Sequence, residues 1–159
     1  MKILVMGLPG SGKTYLSERL APLLQAAWYN ADKVREMAND WDFSETARIR
    51  QANRMRCIAD FEKQNGRLVI CDFVCPTKET REKFDADIII WMDTIGAGRF
   101  EDTNKLFQEP KNVLTQIFRL VMANEVSKTI QSLWDLQSIH QQVTKHRSMA
   151  PSVERFGPA

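Results

Sequence analysis

The sequence has few of the residues that stabilise small folds through disulfides or metal sites, with three cysteines and two histidines. An odd number of cysteines without a dense framework excludes a small secreted disulfide fold. Cys71 and Cys75 are close in sequence, but no second pair completes a zinc site, because His140 and His146 lie far along the chain. We therefore expect the thiols to be small apolar side chains in the core rather than metal ligands.

Strong net charge and long apolar runs are also missing. The formal charge of +2 is too small to indicate nucleic acid or an anionic membrane as a partner, although it is compatible with a small anionic substrate. No segment approaches the roughly 20 apolar residues of a membrane span. The apolar run at the N-terminus is too short for a signal peptide and continues into a glycine-rich loop. These absences predict a cytoplasmic protein with no membrane partner. They are compatible with a homodimer.

Short apolar runs alternate with helical patterns along the first part of the chain. A helix is expected to begin near Lys13 and to kink or end at Pro22, whose ring clashes with the preceding turn. A longer helix is expected between the N-cap residue Ser44 and the C-terminal cap residue Gly66. Alternation of strands and helices predicts an α/β fold with a mostly parallel sheet. The predicted strands are residues 2–6, 26–30, 68–74 and 88–92.

The length of 159 residues favours one domain, but two segments carry no clear chemical signal. Residues 94–110 have two glycines, many charges and little periodicity, which indicates a mobile loop that can act as a lid. Residues 1–110 are therefore the predicted core, including this lid. Residues 111–159 are a predicted helical C-terminal segment packed on the same domain, with helical spacing of apolar residues over 113–121 and a frayed end from about residue 148.

A phosphate-binding motif follows the first predicted strand. Residues 7–14 (GLPGSGKT) match G-x-x-x-x-G-K-[ST] at every fixed position, and a predicted helix follows. The glycines allow successive N–H groups to point at phosphate oxygens, and the helix N-terminus adds partial positive charge. Lys13 can reach the β- and γ-phosphates of ATP, and the Thr14 hydroxyl can bind Mg²⁺. The expected nucleotide-binding residues are Gly7, Pro9, Gly10, Ser11, Gly12, Lys13 and Thr14.

This motif places the predicted fold among three-layer P-loop NTPase-like domains, which include both kinases and GTPase switches. Residues 93–96 fit the D-x-x-G pattern of a GTPase, and Asn104 and Lys105 begin an N-K-x-D pattern. However, Phe107 stands where the base-reading aspartate is needed, and the two segments are too close together to follow different strands. We interpret both matches as chance and predict a kinase.

Polar residues after the second predicted strand are candidates for the acceptor side. Ligands of an open α/β sheet bind at the carboxyl ends of its strands, which places Asp32 beside the phosphate loop. Asp32 can accept a proton from the acceptor or hold Mg²⁺ through water. Arg35 lies one helical turn further and suits an anionic acceptor, although an ordinary surface ion pair would show the same pattern.

The next helix contributes a second set of candidates. Arg48 and Gln51 lie three residues apart and share one helix face. The arginines of this helix are either ligands or only a solvated basic face. Phe43, which precedes the helix, is either a core residue or a plate on which a base stacks.

Four segments, in this order, resemble the adenylylsulfate kinase family: GLPGSGKT, NADKVR, DFSETARIRQANR and ICDFVCP. The family patterns are G-L-S-G-x-G-K-T, D-G-D-N-V-R, G-F-S-x-x-x-R-x-x-N-I-R-R and S-F-I-S-P. Residues 102–107 are similar to the R-D-x-K-G-L-Y lid segment, so the resemblance covers residues 1–107. It implies a kinase that uses ATP and Mg²⁺ to phosphorylate the 3′-hydroxyl of adenylylsulfate.

The resemblance also implies roles for particular residues. Asp32 falls on the second aspartate of D-G-D-N-V-R, the candidate catalytic base and metal partner. Arg35 and Arg48 fall on arginines that hold adenylylsulfate, and Phe43 falls on the aromatic residue that stacks on its adenine. Arg99 is the arginine nearest to the lid position that binds the nucleotide. The implied substrate-binding residues are Arg35, Phe43, Arg48, Gln51, Phe73 and Lys105.

Several positions depart from the family pattern. Asn30 replaces the first aspartate of its motif, Gln51 replaces an asparagine, and Asp72 stands in place of a serine. The glycine and the tyrosine of the lid segment are also changed. Two alternatives therefore stay open: a related P-loop kinase acting on a nucleoside, nucleotide or polynucleotide hydroxyl, and a nucleotide-binding module without turnover.

Overall fold

The computed structural model describes residues 1–111, 116–120, 131, 132, 135 and 138. The chain divides into two compact units, residues 1–126 and residues 127–159. In the second unit the described residues are helical, and Gln131 Nε2 donates a hydrogen bond to Asp135 Oδ1 over 3.1 Å. The first unit contains the sheet and every candidate site residue.

A parallel sheet of five strands forms the centre of the first unit. The strands are β1 (Lys2–Met6), β2 (Ala27–Asn30), β3 (Val69–Asp72), β4 (Ile88–Met92) and β5 (Gln116–Leu120). Their order across the sheet is β2-β3-β1-β4-β5. The strands β1, β3 and β4 are buried over their whole length, as expected for strands covered on both faces. The loop after β1 therefore leaves the middle of the sheet.

Helices connect and follow these strands. In the described residues they are α1 (Lys13–Leu23), α2 (Ala31–Met37), α3 (Glu45–Gln64), α4 (Lys78–Phe84) and α5 (Glu101–Leu106). Asn30, Ser44 and Thr77 cap the N-termini of α2, α3 and α4 by accepting a hydrogen bond from a backbone N–H. Met55 of α3 belongs to the same buried cluster as Leu4 of β1, which packs α3 on the sheet.

The α/β class and the parallel sheet agree with the sequence prediction. All four predicted strands are present. The helix α1 ends at Leu23, directly after Pro22, and α3 begins after the predicted N-cap Ser44. Gly66 has a left-handed backbone with φ 74°, as its capping position requires. The mobility of the predicted lid stays a prediction.

The helix predicted over residues 113–121 is wrong at Gln116–Leu120, which forms β5 and pairs with β4. A short apolar stretch does not separate a strand from a helix by periodicity, and pairing with a neighbouring strand decides the outcome. The other residues of that prediction lie outside the described residues, as does the predicted frayed end. The helices α4 and α5 were not predicted, and α5 lies within the segment that was expected to be an irregular loop.

The cysteines follow the expectation only in part. Cys71 and Cys75 are buried, whereas Cys57 is exposed on α3. The expectation of a core position is therefore wrong for Cys57. In the part of the chain that the structure describes, no helix is long and apolar enough to cross a membrane.

Candidate functional site

The phosphate loop connects β1 to α1, as the motif predicts. Gly12 caps α1 with a left-handed backbone at φ 92°, which a residue with a side chain adopts only with strain. A Cβ at Gly7 would lie 2.6 Å from the carbonyl oxygen of Met92, so only glycine lets the loop pass this close to β4. The close approach at Gly7 and the left-handed backbone at Gly12 give the physical reason for glycine at these two positions of the motif.

Lys13 supplies the positive charge of the loop. Its Nζ donates a hydrogen bond to the carbonyl oxygen of Leu8 over 2.9 Å. Burial lowers the pKa of Lys13 from 10.5 to about 8, although the negative charges of Asp72 and Asp32 act in the opposite direction. A phosphate group suits this partly desolvated amine, because it would stabilise the charged form.

Asp72 lies beside the loop at the end of β3 and is 2% exposed. Its Oδ2 accepts hydrogen bonds from Thr14 Oγ1 over 2.8 Å and from Asn30 Nδ2 over 2.9 Å. Its Oδ1 accepts one from Trp28 Nε1 over 2.7 Å. Sequence reasoning did not assign Asp72 to the site. The signal that points to it is a carboxylate as the last residue of an otherwise apolar strand, at the carboxyl edge of the sheet where ligands bind.

A cavity of about 660 Å³ opens beside the phosphate loop. It also includes aromatic residues that sequence reasoning missed, namely Tyr15, Trp41 and Phe100. Lys105 does not line the cavity, and its exposed Nζ pairs with Glu101 over 2.7 Å. Of the predicted site residues, those that line the cavity are Pro9, Gly10, Gly12, Lys13, Thr14, Asp32, Arg35, Phe43, Arg48, Gln51, Phe73 and Arg99.

Two of the residues predicted to bind the acceptor, Arg35 and Arg48, meet at the ring of a third, Phe43. The guanidinium carbon of Arg35 lies 4.7 Å from the centre of the Phe43 ring, and that of Arg48 lies 5.9 Å from it. These distances are those of cation–π contacts. Phe43 itself is half-exposed, so part of its ring is open to a ligand.

Both guanidinium groups also have protein partners. Arg35 is buried and donates to the carbonyl oxygens of Asp40 and Asp42 over 3.0 and 2.9 Å. Burial lowers the pKa of Arg35, but a guanidinium group remains charged near neutral pH. Arg48 donates to Asp102 Oδ2 over 3.0 Å. An anionic ligand would therefore compete with Asp102 for Arg48.

Gln51 and Asp32 differ in how much of their side chain a ligand can reach. Gln51 is buried, and its Nε2 donates to the carbonyl oxygen of Ala31 over 3.0 Å while its Oε1 accepts from Arg54. These bonds favour a positioning role between α2 and α3 over direct contact with a substrate. Asp32 is exposed in the first turn of α2 and lines the cavity. Its carboxylate is accessible to a bound acceptor.

The comparison with protein families identifies the class to which this protein belongs. Residues 3–103 match the family model described as AAA domain. The match contains the phosphate loop, the residues that follow β2 and β3, and the start of α5. Because it covers more than half of the chain, the protein belongs to this family of P-loop domains.

Within this class the chain is similar to adenylyl-sulfate kinases. A segment aligned over 84 residues is 40% identical to the probable adenylyl-sulfate kinase of Aeropyrum pernix, and it covers 47% of this chain and 44% of that protein. The chain thus spans less than half the length of this curated relative. The resemblance that the four sequence motifs indicated is confirmed.

Solved structures share the fold. The APS kinase of Mycobacterium tuberculosis, in complex with AMPPNP and APS, superposes with a TM-score of 0.66 at 20% identity, covering 86% of this chain and 96% of that one. A sugar kinase from Janibacter sp. superposes with a TM-score of 0.66 at 14% identity, covering 83% and 93%. At these identities the likeness shows the fold alone. This fold agrees with the family of P-loop domains to which the chain belongs.

Proposed function

We propose that this protein is a kinase that transfers the γ-phosphoryl group of ATP to the 3′-hydroxyl of adenylylsulfate or of a similar small anionic acceptor. The observation that carries the proposal is the half-exposed Phe43 ring beside Arg35 and Arg48, in a cavity that also contains the phosphate loop. An aromatic plate flanked by cations suits a ligand with both a base and an anionic group. The similarity to an adenylyl-sulfate kinase supports the same acceptor.

ATP is the proposed donor, and the loop would bind its phosphates through backbone N–H groups and Lys13. The site fits Mg²⁺, because the Thr14 hydroxyl lies 2.8 Å from a carboxylate oxygen and Asp32 lines the same cavity. Hydroxyl and carboxylate oxygens are the ligands that Mg²⁺ prefers. When bound, the ion would neutralise charge on the transferring phosphoryl group.

Asp32 is the proposed acceptor of the hydroxyl proton. In the proposed step, the acceptor oxygen attacks the γ-phosphorus, the bond to the oxygen that bridges the β- and γ-phosphates breaks, and ADP leaves. The proton of the hydroxyl passes to the Asp32 carboxylate. Arg35 and Arg48 would hold the anionic group of the acceptor, so that its hydroxyl lies in line with the bond that breaks.

A kinase for another hydroxyl, on a nucleoside, nucleotide or polynucleotide, is the second candidate. The observation that favours it is that both arginines of the acceptor site already bind protein oxygens. Of these acceptors, a nucleoside has no anionic group and would leave both contacts in place, so the observation favours a nucleoside in particular. Its recognition would then rest on the aromatic residues of the cavity, such as Phe43 and Trp41.

A transfer assay separates these candidates. The protein would be incubated with Mg²⁺ and ATP labelled in the γ-phosphate, together with adenylylsulfate, AMP, adenosine, a sugar or an oligonucleotide with a free 5′-hydroxyl. The matched control is Lys13→Ala, which removes the fixed cation of the loop and should abolish transfer. We expect label on the 3′-oxygen of adenylylsulfate.

Two other results would contradict the proposed acceptor, and a third would contradict the role of the phosphate loop. Label on adenosine, AMP or the oligonucleotide but none on adenylylsulfate would select the second candidate. ATP binding without transfer to any acceptor would indicate a nucleotide-binding module. Transfer that persists in Lys13→Ala within about threefold of the parent would instead refute the role of the loop, since such charge stabilisation is worth several kcal/mol.

A further inference from the structure

The segment that follows β4 lies on the phosphate loop. Thr94 Oγ1 donates a hydrogen bond to the carbonyl oxygen of Ser11 over 2.7 Å. Gly98 also packs closely on the loop, because a Cβ at this residue would lie 3.0 Å from Pro9 Cδ and 3.1 Å from the carbonyl oxygen of Pro9. Residues 94–98, which we call the covering segment, therefore contact the phosphate loop at two separate points.

Asn104 of α5 holds the end of the covering segment through its side-chain amide. Its Oδ1 accepts a hydrogen bond from the Gly98 N–H over 2.8 Å, and its Nδ2 donates one to the Gly98 carbonyl oxygen over 2.9 Å. An amide can bind both backbone groups of one residue because it has a donor and an acceptor. In the sequence, Asn104 stands out only as the start of the incomplete N-K-x-D pattern. The two bonds show what its side chain does in the fold.

Arg99 directly follows Gly98 and lines the cavity beside the phosphate loop. Its side chain is exposed, and its guanidinium carbon lies 5.0 Å from the centre of the Phe100 ring. A guanidinium group binds phosphate oxygens in a planar, bidentate arrangement, so its binding depends on where the backbone places it. The backbone of Arg99 is placed by Gly98, which lies between Pro9 and Asn104.

We infer that Asn104 is a positioning residue that, by holding Gly98 on the phosphate loop, places Arg99 to bind the phosphates of the nucleotide. The inference rests on the proposed binding of ATP and deepens it. Asn104 does not line the cavity itself, so it would act through the backbone that it holds. Without its two bonds, the backbone before Arg99 would be ordered only when the nucleotide binds, and this ordering would lower the affinity.

Calorimetry with Mg²⁺ and a non-hydrolysable ATP analogue tests the inference, because it presents all three phosphates and needs no turnover. Arg99→Ala should weaken binding by about tenfold or more, the cost of a lost hydrogen bond to a charged group. Asn104→Ala should weaken it by about three- to tenfold, the cost of ordering a flexible side chain on binding. The matched control on the same helix is Glu101→Gln, which loses only an exposed pair with Lys105 and should bind like the parent.

A double-mutant cycle separates this positioning role from a purely structural one. If Asn104 acts through Arg99, Asn104→Ala/Arg99→Ala should bind the analogue within about twofold of Arg99→Ala alone. A residue that only stabilised α5 would change the affinity by the same factor whether or not Arg99 is present. Asn104→Leu removes both bonds, keeps the size of the side chain and serves if Asn104→Ala fails to fold. Near-ultraviolet circular dichroism would show whether each variant is folded.

The outcomes distinguish this inference from the proposed function. Unchanged affinity in a folded Asn104→Ala or Asn104→Leu variant would overturn the inference alone. So would a double variant in which the two losses add, or a loss in Glu101→Gln as large as that in Asn104→Ala. Failure of both Asn104 variants to fold would show a structural role and would overturn it as well. A parent protein that binds no ATP analogue would contradict both the inference and the proposed function.

Discussion

Nucleotide affinity should depend on pH through Lys13, the cation of the phosphate loop. We predict that the affinity for ADP with Mg²⁺ falls about tenfold between about pH 7 and pH 9, because the amine loses its proton in this range. The cause is burial, which lowers the pKa of Lys13 to about 8 in the protein without ligand. A solvated lysine would stay charged over the same range.

The sign and the size follow from the protonated fraction of the amine. A bound phosphate favours the charged form, so the pKa of Lys13 is higher in the complex than in the free protein, and affinity is lost as pH rises through the free value. One unit below a pKa about nine-tenths of the amines are charged, and one unit above it about one-tenth are. If binding needs the charged amine, the affinity constant falls by the ratio of these fractions.

Calorimetric titration of ADP at several pH values in this range measures the effect. The phosphates of ADP are already ionised here, since their last pKa lies near 6. The matched control is Lys13→Arg, because its guanidinium group stays charged over this range. This variant should bind ADP more weakly than the parent, but its affinity should not change with pH. A parent affinity that changes less than about twofold across the range would refute the reasoning, because it would mean that Lys13 keeps its proton or is not needed.

Three substitutions test the acceptor side. Asp32→Asn should lower kcat by about 10²-fold in steady-state kinetics and leave ADP affinity unchanged. An unchanged kcat with a large loss of nucleotide affinity would show that Asp32 has another role. Arg48→Ala should weaken binding of adenylylsulfate by about 1.5–3 kcal/mol, measured by calorimetry with ADP and Mg²⁺ present; unaltered binding would exclude Arg48 as an acceptor ligand. Asp102→Asn should strengthen that binding by about fivefold, because the competing ion pair, whose carboxylate is exposed and screened by water, is worth about 1 kcal/mol. The control Glu101→Gln, which loses only its exposed pair with Lys105, should have no effect, and weaker binding in Asp102→Asn would contradict the competition.

The phosphate loop could be predicted because its determinants are local. Its eight residues, the apolar strand before them and the helix after them lie within a short stretch of sequence. The close approach at Gly7 and the left-handed backbone at Gly12 then agree with the glycines that the motif fixes. The strand order of the sheet is not encoded locally, and β5 was missed because only its pairing with β4 identifies it as a strand.

The acceptor side could be predicted only as a set of candidates. The resemblance to adenylylsulfate kinases predicted that Phe43, Arg35 and Arg48 bind one ligand. In the structure, both guanidinium groups lie over the Phe43 ring. It does not bring Lys105 into the cavity, because the side chain pairs with Glu101 of its own helix. The contact between Asp72 and Asn30 depends on the register of two strands that are far apart in sequence, which no local pattern contains. The cytoplasmic location and the homodimer stay predictions.

The predicted lid is tied to the core near both of its ends. Near its start, Thr94 Oγ1 donates to the carbonyl oxygen of Ser11 in the phosphate loop over 2.7 Å. At its end, the buried guanidinium group of Arg81 donates to the carbonyl oxygens of Gln108 over 2.9 Å and Glu109 over 3.4 Å. Bonds of this kind to a charged, buried donor are among the stronger ones in proteins. Any movement of the lid is therefore confined to the residues between these two points.

Between those points, α5 is held against the acceptor side partly by the ion pair of the partly buried Arg48 with the exposed carboxylate of Asp102. Water screens an exposed carboxylate, so such a pair contributes about 1 kcal/mol and can break and re-form more easily than the bonds of Arg81. The proposed acceptor would bind the same guanidinium group. Acceptor binding and the position of α5 would then be coupled through Arg48, because the acceptor anion and Asp102 would compete for the same N–H donors.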